Sequence, residues 1–275
     1  MSNTSRVDKD LFRDEHYLGK PADDEDKIIS RRIAVLERYP EFFNRSLTCI
    51  EAGSGSGATI TRLANRFKKS IGIDIFDYSK QFEEQRQKNK ADNCEFRKVD
   101  LEHEPLNEQF DRLISFEVIE HLRNEDSVSA YYNVLKDGGL AAITVPNKWW
   151  IFETHGARLP LLPWNRVPFF SWLPKPIHER YANARIYSID RIVELMEKNG
   201  FTIIDYCYIT APMDVLKDGS LKRFMVKNIF KGDSTRVPFL STSIFVMAQK
   251  KTKNGKWAGM DLFGQKRRHA MALHS

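Results

Sequence analysis

A doubly wound α/β fold around a mostly parallel sheet is what the sequence predicts, and three observations predict it. Short apolar runs alternate strictly with stretches of helical period between residues 47 and 146. The first of those runs ends in a glycine-rich loop that opens a helix. The chain, at 275 residues, is long enough for one well-cored domain with insertions, whereas two domains would each be small.

The elements follow in order. Behind an acidic lead-in (Asp23, Asp24, Glu25, Asp26), the spacing of Ile28, Ile29, Ile33, Leu36 and Tyr39 predicts a helix. Beyond Pro40, LTCIEAG reads as a buried strand and ATITRLANRFKK as the helix after it. SIGIDI, CEFRKVD, FDRLISF and LAAITVP read as further strands. YSKQFEEQRQKNK and EHLRNEDSVSAYYNVLK supply helices between them, the second ended by Gly138 and Gly139. Residues 147–185 break the rhythm with four of the five tryptophans (Trp149, Trp150, Trp164, Trp172) and with prolines, so they read as an insertion. SIDRIVELMEKNG then resumes as a helix with Ser188 as N-cap and Gly200 as terminator, followed by the strands FTIIDYCYI and STSIFVMAQ.

Composition narrows the function classes. Cys49, Cys94 and Cys207 are widely separated and lack metal-ligand spacing, which argues against a disulfide framework and for a reducing compartment. The N-terminus has no apolar core of signal-peptide type, and no run of 18 apolar residues occurs, so a cytosolic protein is expected. The formal charge of +6 is confined to residues 250–275, where seven basic residues face Asp261 alone. The first 249 residues hold 36 basic and 36 acidic side chains, so a broad nucleic-acid-binding face is not indicated.

The loop Glu51-Ala52-Gly53-Ser54-Gly55-Ser56-Gly57-Ala58 sits between strand and helix, where glycines allow a tight turn and close approach of a ligand to the backbone. Gly53, Gly55 and Ala58, with Asp74 downstream to grip a ribose, also satisfy a nicotinamide-dinucleotide fingerprint. Charge separates the two ligands. A carboxylate immediately before the loop, as Glu51 is, would repel a pyrophosphate but suits a ligand that carries an ammonium and a sulfonium.

Five segments in order then resemble the class I S-adenosylmethionine-dependent methyltransferases. IEAGSGSG is similar to their first motif, the acid ending IGID to their ribose-binding position, and KVDL to their adenine-side acid. FDRLISFEVIEHL is similar to the fourth-strand motif, and LKDGGLAAITVPN to the glycine turn and fifth strand. The resemblance implies a Rossmann-like, mostly parallel seven-stranded sheet with an antiparallel last strand. It also implies S-adenosylmethionine contacts at Glu51, Gly53, Ser54, Gly55, Asp74, Ile75, Asp100, Leu101 and Phe116.

Glu117, Glu120 and His121 stand at the mouth of the fourth strand, facing the ligand crevice of such a sheet. Their spacing predicts one helical face, and the unperturbed imidazole pKa near ~6.5 suits proton transfer at His121. The plainer reading has Glu120 solvating a helix start. The EVIEH element resembles that of the ubiquinone-biosynthesis O-methyltransferases, the likeness that covers the whole fourth-strand motif. It is also similar to the small-RNA terminal 2′-O-methyltransferases, whose Glu, Glu, His set holds magnesium with a later histidine. That resemblance implies a divalent cation such as Mg at Glu117, Glu120 and His121, completed by His155 or His178, and roles for His121 and Glu117 in catalysis.

The insertion is expected to lie over the methyl-donor end of the cleft as an acceptor lid, its aromatics and Arg158, Arg166 and Lys175 suiting an interfacial acceptor. Residues 214–231 are basic and amphipathic. They suit an anionic membrane surface or, equally, a helix covering a sheet edge. Trp257, Leu262 and Phe263 in the basic tail add to the case for peripheral membrane contact. The division expected is one catalytic domain over residues 1–249 and a tail over 250–275. The activity expected is O-methylation of a lipophilic or lipid-linked acceptor, with RNA 2′-O-methylation and an inactive cofactor-binding scaffold as the alternatives.

Overall fold

The computed structural model describes residues 27–157, 167–213, 216–217 and 219–251. The acidic lead-in, Arg158, Trp164 and Arg166 of the insertion, and the tail aromatics Trp257, Leu262 and Phe263 lie outside the described residues.

Helix α1 (Lys27–Leu36) buries Ile29, Arg32, Val35 and Leu36, the stripe that its apolar spacing predicts. The chain then builds β1 (Asn44–Ala52), α2 (Ile60–Leu63), β2 (Phe67–Asp74), α3 (Ser79–Lys88), β3 (Cys94–Lys98) and β4 (Phe110–Phe116). Next come α4 (Ser129–Val134), β5 (Leu135–Pro146), α5 (Lys175–Tyr181), α6 (Ile189–Lys198) and β6 (Phe201–Thr210). Helix α7 (Ser220–Asn228) and strands β7 (Ser234–Thr235) and β8 (Ser241–Lys250) complete the described chain. The sheet runs β3-β2-β1-β4-β5-β8-β6-β7. Strands β1 to β5 pair in parallel and β8 enters antiparallel between β5 and β6. The expected mostly parallel sheet with an antiparallel last strand is therefore the observed one. The strand beyond the seven expected is β7, a two-residue edge piece paired to the end of β6.

Two apolar clusters cover the two faces of the sheet. One gathers Ile50, Ile71, Leu113, Ile143, Tyr187, Met196 and Val246, and the other Leu36, Phe42, Ile60, Phe82, Ile114, Phe245 and Met247. Alternate residues of β1, β4 and β8 divide between them, as the two-residue period of a strand requires. Ser188 caps α6 by accepting from Arg191 N, and Gly200 ends it at φ +90°, both as the sequence predicts.

Two helices depart from expectation. The segment 58–69 gives a single α turn and a 3-10 turn before β2 begins at Phe67, so FKK belongs to the strand. The stretch 120–136 holds two 3-10 turns (119–121 and 125–128) and only six α-helical residues. The chain passes straight from α4 into β5, with Gly138 at φ +78° inside the strand where the β4–β5 register shifts.

Candidate active site

The C-terminal ends of β1, β2, β4 and β5 form one rim, the place where an open α/β sheet keeps its ligand crevice. Glycine is required on that rim by geometry. Gly53 sits at φ +67°, and a Cβ there would stand 2.4 Å from a methyl of Val118. Gly57 sits at φ +81° against the Phe82 ring, at 2.5 Å. The turn thus brings bare backbone against its neighbours and leaves no room for side chains.

Glu51 ends β1 in full burial, and its Oε2 accepts from Ile60 N at 3.0 Å, tying the loop to the helix that follows. Burial pushes its carboxyl pKa up to about 8, against the pull of the bonds from Ile60 and the Thr59 hydroxyl. Asp74 ends β2 and clamps the loop. Its Oδ2 accepts from Gly55 N at 2.9 Å and its Oδ1 from Phe76 N at 3.0 Å. Burial raises its pKa too. Ser54 Oγ is buried with no hydrogen-bond partner among the described residues, so a polar donor site faces the loop. Ile75 is exposed at the loop after β2, and Phe116 is buried at the end of β4. Asp100 accepts from Glu102 N at 3.0 Å and lies 2.8 Å from His103 Nδ1, with Leu101 half-buried beside it. Every expected donor-side residue therefore lies on this rim or on the loop after β3.

These residues fit a ligand with an ammonium and a ribose. The rim offers a buried acid, a bare glycine turn and a second acid whose oxygens each have a further lone pair.

The EVIEH element is arranged differently from expectation. Glu117 adopts φ +59°, a left-handed backbone that L side chains rarely take, and its N–H donates to Thr144 O at 3.0 Å. Glu120 and His121 follow in a 3-10 turn, so the three do not share a helical face. Glu117 turns instead toward α1, where the buried Arg32 guanidinium stands 3.4 Å from its Oε1. Glu120 is fully buried, and neither oxygen has a hydrogen-bond partner among the described residues. Desolvation first, and the Glu117 carboxylate second, raise its pKa well above the usual range.

His155, from the insertion, completes the group. Its Nε2 lies 3.5 Å from Glu120 Oε1 and its ring meets that of His121 edge-on with centroids 5.0 Å apart. Ligand atoms of Glu120, His121 and His155 lie within 4.8 Å of one another, a spacing suited to a divalent cation. The other candidate histidine, His178, is elsewhere. It is buried against Glu153, Nε2 to Oε2 at 2.7 Å, and Glu153 in turn accepts from His155 N at 3.2 Å. The proton-transfer pKa expected for His121 is also corrected: burial and the neighbouring His155 push it down to about 3, so its imidazole is neutral at physiological pH. A neutral imidazole with Nδ1 unpartnered among the described residues is a better metal ligand than a general base.

Two residues carry the site without a sequence signal that singles them out. Arg185 is fully buried, and its guanidinium donates to the carbonyls of Glu120, Leu122 and Arg123, fixing the turn that holds Glu120 and His121. Arg32 supplies the countercharge to Glu117 from a helix that precedes the sheet. Only a basic residue inside an apolar helical stripe hinted at the second.

The insertion is anchored at its base by Asn147. Its Nδ2 donates to the carbonyls of Pro238 and Ser241, and its Oδ1 accepts from Trp149 N. The two adjacent tryptophans then part. Trp150 is buried against Met213 and Phe230, while Trp149 is exposed and meets Trp172 and Phe239 at 6.4 and 6.3 Å between centroids.

Residues 50–143 match the family model described as a methyltransferase domain. The fold is similar to that of a SAM-dependent methyltransferase from Thermotoga maritima, at 18% identity over 83% of this chain and 91% of that one, TM-score 0.51. It is also similar to coclaurine N-methyltransferase bound to N-methylheliamine and SAH, at 15% identity over 80% and 72% of the two chains, TM-score 0.53. A third likeness is to a [4+2]-cyclase, at 15% identity over 87% and 89%, TM-score 0.55. No curated protein matches the chain. Likeness at such identities shows the fold, and the cyclase is a reminder that one fold hosts several chemistries. Fold and domain match together define an α/β transferase. More narrowly, residues 50–143 carry a methyltransferase domain, and domain and fold together support an S-adenosylmethionine-dependent methyltransferase.

Proposed function

We propose that the enzyme O-methylates a lipophilic or lipid-linked acceptor, such as a quinone precursor or a polyprenyl-linked sugar, in the manner of the ubiquinone-biosynthesis group. The observation that carries this reading is the aromatic wall on the insertion. Trp149, Phe169 and Trp172 are exposed and in ring contact on the segment that also delivers His155 to the Glu120 and His121 turn, and Phe239, from the turn before β8, joins them. Apolar aromatics left in water next to a polar cluster suit an acceptor with an apolar body and a reacting hydroxyl.

S-adenosylmethionine, when bound, supplies a methyl carbon that the acceptor oxygen attacks as the carbon–sulfur bond breaks. Glu51 faces the ammonium, Asp74 holds the ribose, and Asp100, Leu101 and Phe116 border the adenine. Gly53 and Gly55 let the ligand approach the backbone. Glu117, Glu120, His121 and His155 border the acceptor hydroxyl and orient it, and a divalent cation held by Glu120, His121 and His155 would lower the pKa of that hydroxyl. The test is labelling. Purified enzyme, isotopically labelled methyl donor and separate lipid and RNA extracts are incubated, and the label is followed by mass spectrometry. An O-linked methyl group in the organic phase, absent with Asp74→Ala, is expected; label confined to RNA would overturn the reading.

A second reading, magnesium-dependent RNA 2′-O-methylation, draws on the Glu120, His121 and His155 donors. It predicts turnover abolished by chelator and by His155→Ala, and RNA binding that weakens steeply with salt. The neutral body of the chain speaks against the second of these.

A further inference from the structure

Helix α7 is nine residues long, and none of them is buried. One side, through Met225 and Val226, leans on the small cluster of Trp150, Met213 and Phe230. Leu221 and Phe224, one turn apart, are nonetheless 65% and 60% exposed. The helix therefore does more than cover the sheet edge, since a covering helix would place its largest apolar groups inward. Around the same Trp150 cluster lie further exposed apolar groups, Ile229, Val237 and Phe239, and beyond Phe239 the Trp149, Trp172 and Phe169 rings. A patch of this kind rarely stays open to water in a monomer.

Charge says what covers it. Residues 216–240 carry Lys217, Lys222, Arg223, Lys227, Lys231 and Arg236 against Asp218 and Asp233, whereas the first 249 residues as a whole are balanced. The cations flank the apolar strip of α7, with stems long enough to lie along it while their heads reach outward. A second copy of the chain would bring the same positive surface against itself, and like charges facing each other oppose such pairing. An apolar strip flanked by cations is complementary to a lipid surface with anionic headgroups, into which Leu221 and Phe224 would insert.

We infer that α7 and the adjoining Val237–Phe239 turn form a docking face for an anionic membrane. The inference goes beyond the acceptor reading and does not depend on it, because docking is measured without turnover. It places the aromatic wall of the insertion beside the bilayer.

The experiment uses the full chain and vesicles of phosphatidylcholine, either pure or mixed with phosphatidylglycerol, read by co-sedimentation. Two variants are compared with the parent, Leu221→Ser with Phe224→Ser, and Lys222→Glu with Arg223→Glu and Lys227→Glu. The basic tail is present in all three, so a difference belongs to α7. S-adenosylhomocysteine binding, expected unchanged, reports that each variant folds. Expected is binding to the mixed vesicles that falls with salt and drops about tenfold or more in both variants. Undiminished vesicle binding in either folded variant would overturn the inference. So would equal binding to neutral vesicles, a parent dimer that the serine variant dissolves, or RNA binding lost in the charge variant where vesicles never bound.

Discussion

Replacing Glu51 by glutamine should make the ligand-free protein more stable and the ligand-bound protein weaker. Glu51 is buried, and its folded pKa lies near 8 against an ordinary value of 4.5. Its pKa is raised, so between those values the folded state holds a proton that the unfolded state has released. Stability is therefore lost as pH rises through that window, and the loss is complete above about pH 8. At pH 7 the penalty is about 3 kcal/mol, from 1.36 kcal/mol per pH unit over the interval from 4.5. Glutamine cannot ionise, and its carbonyl still accepts the Ile60 N–H. At about 2–4 °C per kcal/mol, Glu51→Gln should melt roughly 6–12 °C higher at pH 7 and nearly level with the parent at pH 5. Binding should run the opposite way. A cation beside Glu51 favours the carboxylate, so S-adenosylmethionine should displace a proton, and parent affinity should climb until about pH 8. Calorimetry in buffers of different ionisation enthalpy would register that proton, and it should vanish in the variant. A variant no more stable at pH 7 than at pH 5 relative to the parent, or one whose affinity keeps the parent's pH profile, would refute the assignment of Glu51 as a buried acid facing the ligand's ammonium.

Other substitutions probe neighbouring claims. Gly53→Ala adds a methyl 2.4 Å from Val118 at φ +67°. It should weaken S-adenosylhomocysteine binding by tenfold or more, since left-handed strain alone is about 1–2 kcal/mol; adding Val118→Ala should restore part of this in a titration. Asp74→Ala removes the acceptor for Gly55 N and Phe76 N as well as the ribose contact, so a loss of about 1–3 kcal/mol in calorimetric affinity is expected. Trp149→Ala with Trp172→Ala should leave donor affinity unchanged and lower turnover about tenfold, through lost acceptor orientation. Trp150→Ala should instead lower the melting temperature, because truncating a buried aromatic costs about 3–5 kcal/mol.

The alternation of strand and helix was legible because the strands are short apolar runs and several of the loops carry glycine or proline, signals that act within a few residues. Ser188 and Gly200 bound α6 as expected for the same reason. Local period failed at 117–136, where a helical spacing gave 3-10 turns. The cause lies some sixty residues away, in the Arg185 guanidinium that holds the carbonyls of Glu120, Leu122 and Arg123 out of a continuous helix. In the same way, Trp149 and Trp150 look alike in sequence, but only their positions beside Phe239 and Phe230 decide which is wall and which is core. His155 and His178 were interchangeable candidates until the fold spent His178 on Glu153.

The histidine and the arginine that finish the Glu120 turn both come from residues 147–185, while the groups expected to hold the methyl donor all precede residue 117. On the proposed reading, donor and acceptor would be bound chiefly by separate stretches of one chain, joined at the turn that holds Glu120. Exchange of the insertion for another of matching ends would leave the donor pocket whole and present a different partner to it. A graft of that kind, retaining His155 and Arg185, is a route by which one methyl-donor pocket acquires new acceptors.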